Sequence, residues 1–221
     1  MIGGWFRRGK DQTPRLPEER GPLACAIGGA FRIDTLGIEA SLASGEPAMG
    51  APAGGDFIVT AIGVARLDGA SELTRYYDDD HRMVQVIAAP GGGADTITDV
   101  SLYAPWDSVV PAGRAEWDRW TGPRGLIGAP SYDADGIVYA RYWGSGNAQA
   151  DLVEFVETVD DGSTKRDIHQ RCMLYARDVG TGEEMLLINI ERDLSHHARE
   201  EGGAISFIIG YGLGTADIER V

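Results

Sequence analysis

The chain has 221 residues, 20 basic against 34 acidic side chains, a formal net charge of -14 and 31 glycines, about twice the ordinary glycine share of ~7%. That charge argues against non-specific nucleic-acid binding, which rests on Lys and Arg neutralising phosphates, and against a polybasic membrane anchor. No window approaches the ~20 consecutive apolar residues of a membrane-spanning helix.

Cys25 and Cys172 lack C-x-x-C spacing, so they read as buried thiols of a reducing compartment, not as a zinc knuckle or a redox pair. Met1 to Arg8 carries its charges after a short apolar stretch, and Ile2 stands where myristoylation needs glycine. The expectation is a cytoplasmic protein without a secretory leader. Residues 1–21 read as a flexible, Pro- and charge-rich tail. Trp5 and Phe6 beside Arg7 and Arg8 suit either a frayed terminus or a short foot touching a membrane or a partner.

From Leu23 onward the pattern is β. Cys25 to Leu42 holds short apolar runs broken by glycines, and Ala43 to Gly55 is a Gly/Ala/Pro-rich flexible loop. Phe57 to Leu67 is apolar on both alternating faces, as for one strand covered on two sides. Asp68-Gly69 turns the chain into a returning strand over Glu72 to Tyr77. Asp78-Asp79-Asp80 makes a second turn, and Met83 to Ala89 and Thr96 to Tyr103 are further strands on either side of a glycine loop. Pro111 to Trp120 is the one expected helix, with Gly122-Pro123 as its stop signal. Trp117 and Trp120 share one of its faces.

The second half repeats the style. Ser131 to Tyr142 is a hairpin, and Leu152 to Val159, Arg166 to Arg177 and Met185 to Glu191 are strands. Ala204 to Tyr211 is a buried strand with Ile205, Phe207, Ile209 and Tyr211 on one face and Ile208 on the other. Thr215 caps a last short turn. The fold class is α+β, predominantly antiparallel β, with two packed meanders forming a sandwich or half-barrel around one short helix near 111–121. A single β-rich domain over 22–221, divisible into halves 22–110 and 122–221, is expected. An old duplication and ordinary antiparallel patterning both explain the likeness of the halves. Nine of the twenty aspartates fall at expected turns, so the acidity reads as turn chemistry.

Asp78, Asp80 and His81 are candidate ligands for a hard or borderline cation, although successive residues of one turn point apart. Asp133-x-Asp135-Gly136 reads as an Asx-type turn. His196-His197 with Glu200 and Glu201 is a second metal-like string, without the spacing of a zinc hydrolase. No G-x-S-x-G is present, and no glycine loop opens a helix that would hold a phosphate. No cofactor is expected and no catalytic residue is assigned. Trp117, Trp120, Tyr139, Arg141 and Trp143 are the candidate binding residues, since Tyr139, Arg141 and Trp143 alternate onto one face and Arg stacks between aromatics.

The chain resembles the YjfK-like family of bacterial proteins, domain of unknown function 2491, from about Pro22 to the C-terminus. The resemblance is carried by Leu23 to Gly29 with Phe31-Arg-Ile-Asp34-Thr35-Leu36, by the Tyr76 to Asp80 turn and by Met83 to Val86. Further carriers are Glu116-Trp117-x-x-Trp120, Gly125-Leu-Ile-Gly128-x-Pro130-x-Tyr132, Asp135-Gly136-x-x-Tyr139-x-Arg141-x-Trp143 and Met173-Leu174-Tyr175-x-Arg177. The family carries no assigned activity. Its members resemble companions of phage-shock-type membrane proteins and of glutathionylspermidine-synthase-like ligases in bacterial gene clusters. The resemblance therefore implies an envelope-associated or stress-response assembly, reached through protein partners peripheral to the inner membrane.

The leading expectation is a non-enzymatic interaction or adaptor module. The alternatives are a metal-assisted hydrolase and a small-ligand-binding protein. Exposed strand edges leave room for a homodimer.

Overall fold

Aspartate-capped turns set most strand boundaries. Asp68 accepts from the backbone N–H of Ala70 and Ser71 (2.7 and 2.6 Å), and Asp161 does the same for Ser163 and Thr164 (2.9 and 2.8 Å). Asp133 accepts from Gly136 N–H (2.7 Å), where Asp135 and Gly136 hold φ of 53° and 91°. The computed structural model describes residues 18–194 and 203–221. In chain order these hold β1 (Ala30–Ile33), α1 (Leu36–Leu42), β2 (Gly55–Ile58), β3 (Ala61–Arg66), β4 (Glu72–Tyr77), β5 (Met83–Ala88) and β6 (Ile97–Val109). There follow α2 (Arg114–Thr121), β7 (Ser131–Ala134), β8 (Ile137–Arg141), β9 (Val153–Asp160), β10 (Lys165–Val179), β11 (Gly182–Asp193), β12 (Ile205–Gly212) and β13 (Ile218–Arg220).

The two meanders are β3-β4-β5-β6 and β9-β10-β11-β12. They do not stack as a sandwich. Their first strands pair with each other (β3–β9), and so do their last (β6–β12), so eight antiparallel strands close into a barrel. Closure satisfies the edge N–H and C=O groups that two separate meanders would leave open. The β7–β8 hairpin hangs from β10 through Tyr175↔Arg141 and Ala176↔Ala140.

Strands of a closed barrel have two faces to bury, and both are covered. Outside the first meander lies the small sheet β13-β1-β2, whose Phe31, Ile33 and Phe57 pack on Ile62, Tyr76, Val84, Val86, Val100 and Leu102. Phe31 stacks on Phe57 at 4.8 Å and meets Tyr76 edge-on at 5.7 Å. Outside the second meander, Ile38 and Leu42 of α1, Trp117 and Trp120 of α2 and Tyr139 of β8 cover Met173, Tyr175, Leu186 and Ile188. Ile205, Phe207, Ile209 and Tyr211 join this outer cluster, while Ile208 faces the lumen, as the alternation of that strand predicts.

Several expectations need correction. Phe57 to Leu67 is not one strand. Val59 still bonds to the segment before β1 (Gly28 N–H to Val59 O, 2.7 Å), whereas Thr60 N–H already donates to Tyr77 O of the barrel (2.8 Å). The chain therefore changes sheets across one peptide. Leu36–Leu42 is a second helix, started by the Asp34 carboxylate accepting from Leu36 N–H (3.0 Å) and by Glu39 N–H donating to Thr35 O (2.9 Å). Ile38 and Leu42, one turn apart, are its buried face.

The last turn is closed by Asp217 accepting from Gly214 N–H (2.8 Å), not by Thr215, and β13 after it pairs with β1. β6 runs six residues past its expected end at Tyr103 and bulges around Trp106, with Pro105 opposite Ile208 and Asp107 opposite Phe207. The loop over Ala43 to Gly55 is tied down at four points. Arg177 donates to Glu46 O (2.7 Å), Ala48 N–H to Glu184 (2.9 Å), Tyr211 OH to Met49 O (2.9 Å) and Arg82 to Ala53 O (2.6 Å).

Candidate functional site

The barrel lumen is sealed near its middle by Met83, Tyr103, Leu174, Met185 and Leu187, with Cys172 fully buried among them. Burial pushes the Cys172 thiol up to about 11, so it is a poor nucleophile. A cavity of about 960 Å³ opens on the side of the Asp78–His81 turn, and one of about 400 Å³ on the opposite side, beside Gln85, Ser101 and Trp143. Two close approaches shape the lumen. A side chain at Gly63 would sit on the Glu157 carboxylate, and one at Gly210 would enter the Tyr103 ring.

The floor of the larger cavity is polar. Glu157 is 0% exposed and accepts from Arg75 Nη1 (3.0 Å), Tyr77 OH (2.6 Å) and Gln170 Nε2 (2.8 Å). Arg75 also donates through Nε to Gln85 (3.1 Å) and lies over the Phe155 ring at 5.3 Å. Gln170 Oε1 accepts from Asn189 Nδ2 (2.8 Å), which also reaches Glu191 (3.0 Å). Asn189 Oδ1 is buried with no hydrogen-bond partner.

Burial by itself disfavours the Arg75 cation, but the Glu157 charge, followed by Tyr77, Cys172 and the hydrogen bond to Glu157, together reverse that and hold the guanidinium charged. Tyr77 is pushed well above its ordinary value, first by burial and then by the Glu157 charge. It is a hydrogen-bond donor here and not a phenolate.

The sequence candidates occupy different places. Asp78, Asp79 and Asp80 bring carboxylate oxygens within 4.8 Å of one another. Asp78 is already committed, since its buried carboxylate accepts from Arg82 N–H and Nε (2.7 Å each). His81 is not in that group, and it lines the cavity mouth with Asp78 and Asp79, whereas Asp80 does not. His196, His197, Glu200 and Glu201 lie outside the described residues, as do Trp5 and Phe6.

The five aromatic-patch residues do not share a cavity. Trp120 packs on Phe207 at 5.8 Å and borders a third cavity of about 300 Å³, while Trp143 borders the 400 Å³ cavity. Trp117 and Tyr139 belong to the outer cluster, and Tyr139 OH donates to Glu184 (2.6 Å). Arg141 does not stack between aromatics; its guanidinium collects the carbonyls of Gly128 (2.5 Å), Ala148 (2.8 Å) and Gly146 (2.9 Å). Gly146 and Ala148 belong to the loop beyond β8 and Gly128 to the segment before β7, so Arg141 ties the two together.

The sequence reading missed Arg75, Gln85, Glu157, Gln170 and Asn189. A signal existed. Gln85 interrupts the apolar run Met83 to Ala89, and Asn189 interrupts Met185 to Ile190, each where a strand otherwise apolar on both faces turns one polar group inward.

Fold and site together define a class: a closed eight-stranded antiparallel barrel with a polar-floored cavity at one mouth. The chain belongs to the family of proteins of unknown function DUF2491, whose model matches residues 4–219. It is similar to the uncharacterized protein YjfK of Escherichia coli (strain K12), 28% identical over 201 residues that cover 88% of each chain. No solved structure matches it.

Proposed function

We propose that this protein binds a small polar molecule in the larger mouth of its barrel. The observation that carries this reading is the cavity of about 960 Å³ lined at its buried end by Arg75, Gln170 and Asn189, with Glu157 behind them holding Arg75 and Gln170. Eight-stranded barrels are narrow enough either to be filled by side chains or to hold one small ligand. This lumen does both, filled across its middle and open above the polar floor. A volume within the usual ~300–1,000 Å³ of ligand sites and a few convergent polar groups suit a ligand that is oriented as well as enclosed. An adaptor role draws on the lack of a catalytic motif, which favours a small-molecule binder equally, and the cavity supports the binder.

The test is a thermal-shift screen of the full chain against polar small molecules of cationic, neutral and anionic classes. A Ser206→Trp variant, which fills the mouth from β12, serves as the control. A binder raises the melting temperature of the natural chain and leaves Ser206→Trp unmoved. No shift in any class, or equal shifts in both chains, overturns the reading.

A further inference from the structure

We infer that the ligand of this lumen carries a cationic nitrogen donor, an ammonium or a guanidinium, seated between Asn189 Oδ1 and the Glu191 carboxylate. The inference rests on the small-molecule reading above.

The first argument is the direction of the amide relay. An ionised carboxylate only accepts, so Glu157 forces Gln170 to turn its NH2 group inward (2.8 Å). Gln170 Oε1 must then face outward, and it takes one proton of Asn189 Nδ2 (2.8 Å) while Glu191 takes the other (3.0 Å). Both donors of Asn189 are spent and its orientation is fixed. The residue is 2% exposed, lines the cavity, and leaves Oδ1 without a partner. A buried acceptor of this kind costs free energy until a donor reaches it, so the site asks its ligand for an N–H or O–H.

The second argument selects charge. Among the cavity's ionic groups, Arg75 is matched by Glu157 (3.0 Å), Asp78 by Arg82 (2.7 Å) and Arg166 by Asp161 (3.7 Å). Asp79, Asp107 and Glu191 also line the cavity, and among the described residues none of them has an ion-pair partner. The mouth therefore presents three unmatched carboxylates around an unmatched acceptor. An anionic ligand would meet three like charges, whereas a cationic donor answers both features at once. Trp106 at the rim adds an aromatic face to which a cation is attracted.

The probes are n-butylammonium, n-butylguanidinium, 1-butanol and butyrate, four small molecules of one chain length and three charge classes. Binding to the full chain is read by isothermal titration and by saturation-transfer NMR. The expected result is binding of the two cations, with butanol and butyrate about tenfold or more weaker. Asn189→Leu and Glu191→Gln should each weaken the cations about tenfold. The pair Asp79→Asn/Asp107→Asn should weaken them by a smaller, salt-dependent factor. These last positions are exposed, so the charge test survives even if Asn189→Leu fails to fold.

Cation binding unchanged in both Glu191→Gln and the Asp pair, or retained in Ser206→Trp, overturns the inference. Butanol or butyrate binding as tightly as the cations, and lost in Ser206→Trp, overturns the cationic class and leaves the small-molecule reading standing. Silence of all four probes together with a silent screen removes both.

Discussion

Among the described residues two carboxylates, Glu157 and Glu184, are buried to 0% exposure, and they face opposite sides of the barrel wall. Glu184 of β11 points outward and accepts from Tyr139 OH (2.6 Å), Arg177 Nε (2.8 Å), Tyr211 OH (2.7 Å) and Ala48 N–H (2.9 Å). Glu157 of β9 points inward and accepts from an arginine, a tyrosine and a glutamine. The ingredients are alike: a buried carboxylate, an arginine, and tyrosines held protonated by burial first and then by the hydrogen bond and charge of the neighbouring carboxylate.

The endings differ. The Glu184 cluster closes on the 43–54 loop and serves to hold that loop on the wall. The Glu157 cluster runs on through two amides and stops at an unpaired oxygen beside open space. A buried polar network that closes is architecture. One that stops short at a cavity has a position left for something else.

The largest effect should come from breaking the inward cluster. Glu157→Leu leaves the Arg75 guanidinium, 2% exposed, without its counter-charge, and should cost about 3–5 kcal/mol of stability. The double variant Arg75→Met/Glu157→Leu should recover most of that, because a buried pair can be exchanged for apolar groups at little net cost. Denaturant midpoints of the two variants decide it; a double variant as weak as the single one would contradict the account.

The outward cluster should matter less and differently. Glu184→Ala removes a charged acceptor from Arg177, whose side chain is 20% exposed and can turn toward water. The expected loss is about 2–3 kcal/mol, with new protease cleavage within 43–54. Glu157→Leu, at matched stability, should leave that loop protected. Cleavage appearing equally in both variants would erase the distinction between the two clusters.

The smallest effect lies outside both clusters, in the turns. Asp161 is held below the ordinary carboxylate value of 3.8, first by the Ser163 hydroxyl and then by backbone N–H groups, and Asp68 is lowered by the N–H groups of Ala70 and Ser71. A carboxylate with a depressed folded-state value adds stability that is complete above its unfolded value and is lost as pH falls through the folded one. Stability should therefore decline below about pH 4. Asp161→Asn should flatten part of that decline, as read by urea midpoints at pH 5 and pH 3.

The strand series β3 to β6 and β9 to β12 was legible because turn residues and alternation are local properties. Asp68-Gly69, the Asp78–Asp80 turn and Asp133 to Gly136 act through bonds within four residues. Ile205, Phe207, Ile209 and Tyr211 sort from Ile208 by period alone. The helix at Leu36–Leu42 was hidden because two buried residues, Ile38 and Leu42, are too few to impose a helical period on a glycine-broken stretch. β13 was hidden because a three-residue strand at the chain end exists only by pairing with β1. The aromatic candidates were legible as packing residues, but their spacing does not say which surfaces they pack on. Tyr139 is buried in the outer cluster, whereas Trp143, four residues on, packs against that cluster and also lines the 400 Å³ cavity.

By itself, then, the sequence determined two antiparallel meanders, their turns and the family, since each is written in short-range pattern. Tertiary structure alone decided that the meanders join edge to edge into a barrel, because pairing β3 with β9 and β6 with β12 links residues about a hundred positions apart. That closure created an inside. Arg75, Glu157, Gln170 and Asn189 lie on four strands, one of the first meander and three of the second, and only the barrel's curvature brings them within hydrogen-bonding distance and leaves one acceptor facing the cavity.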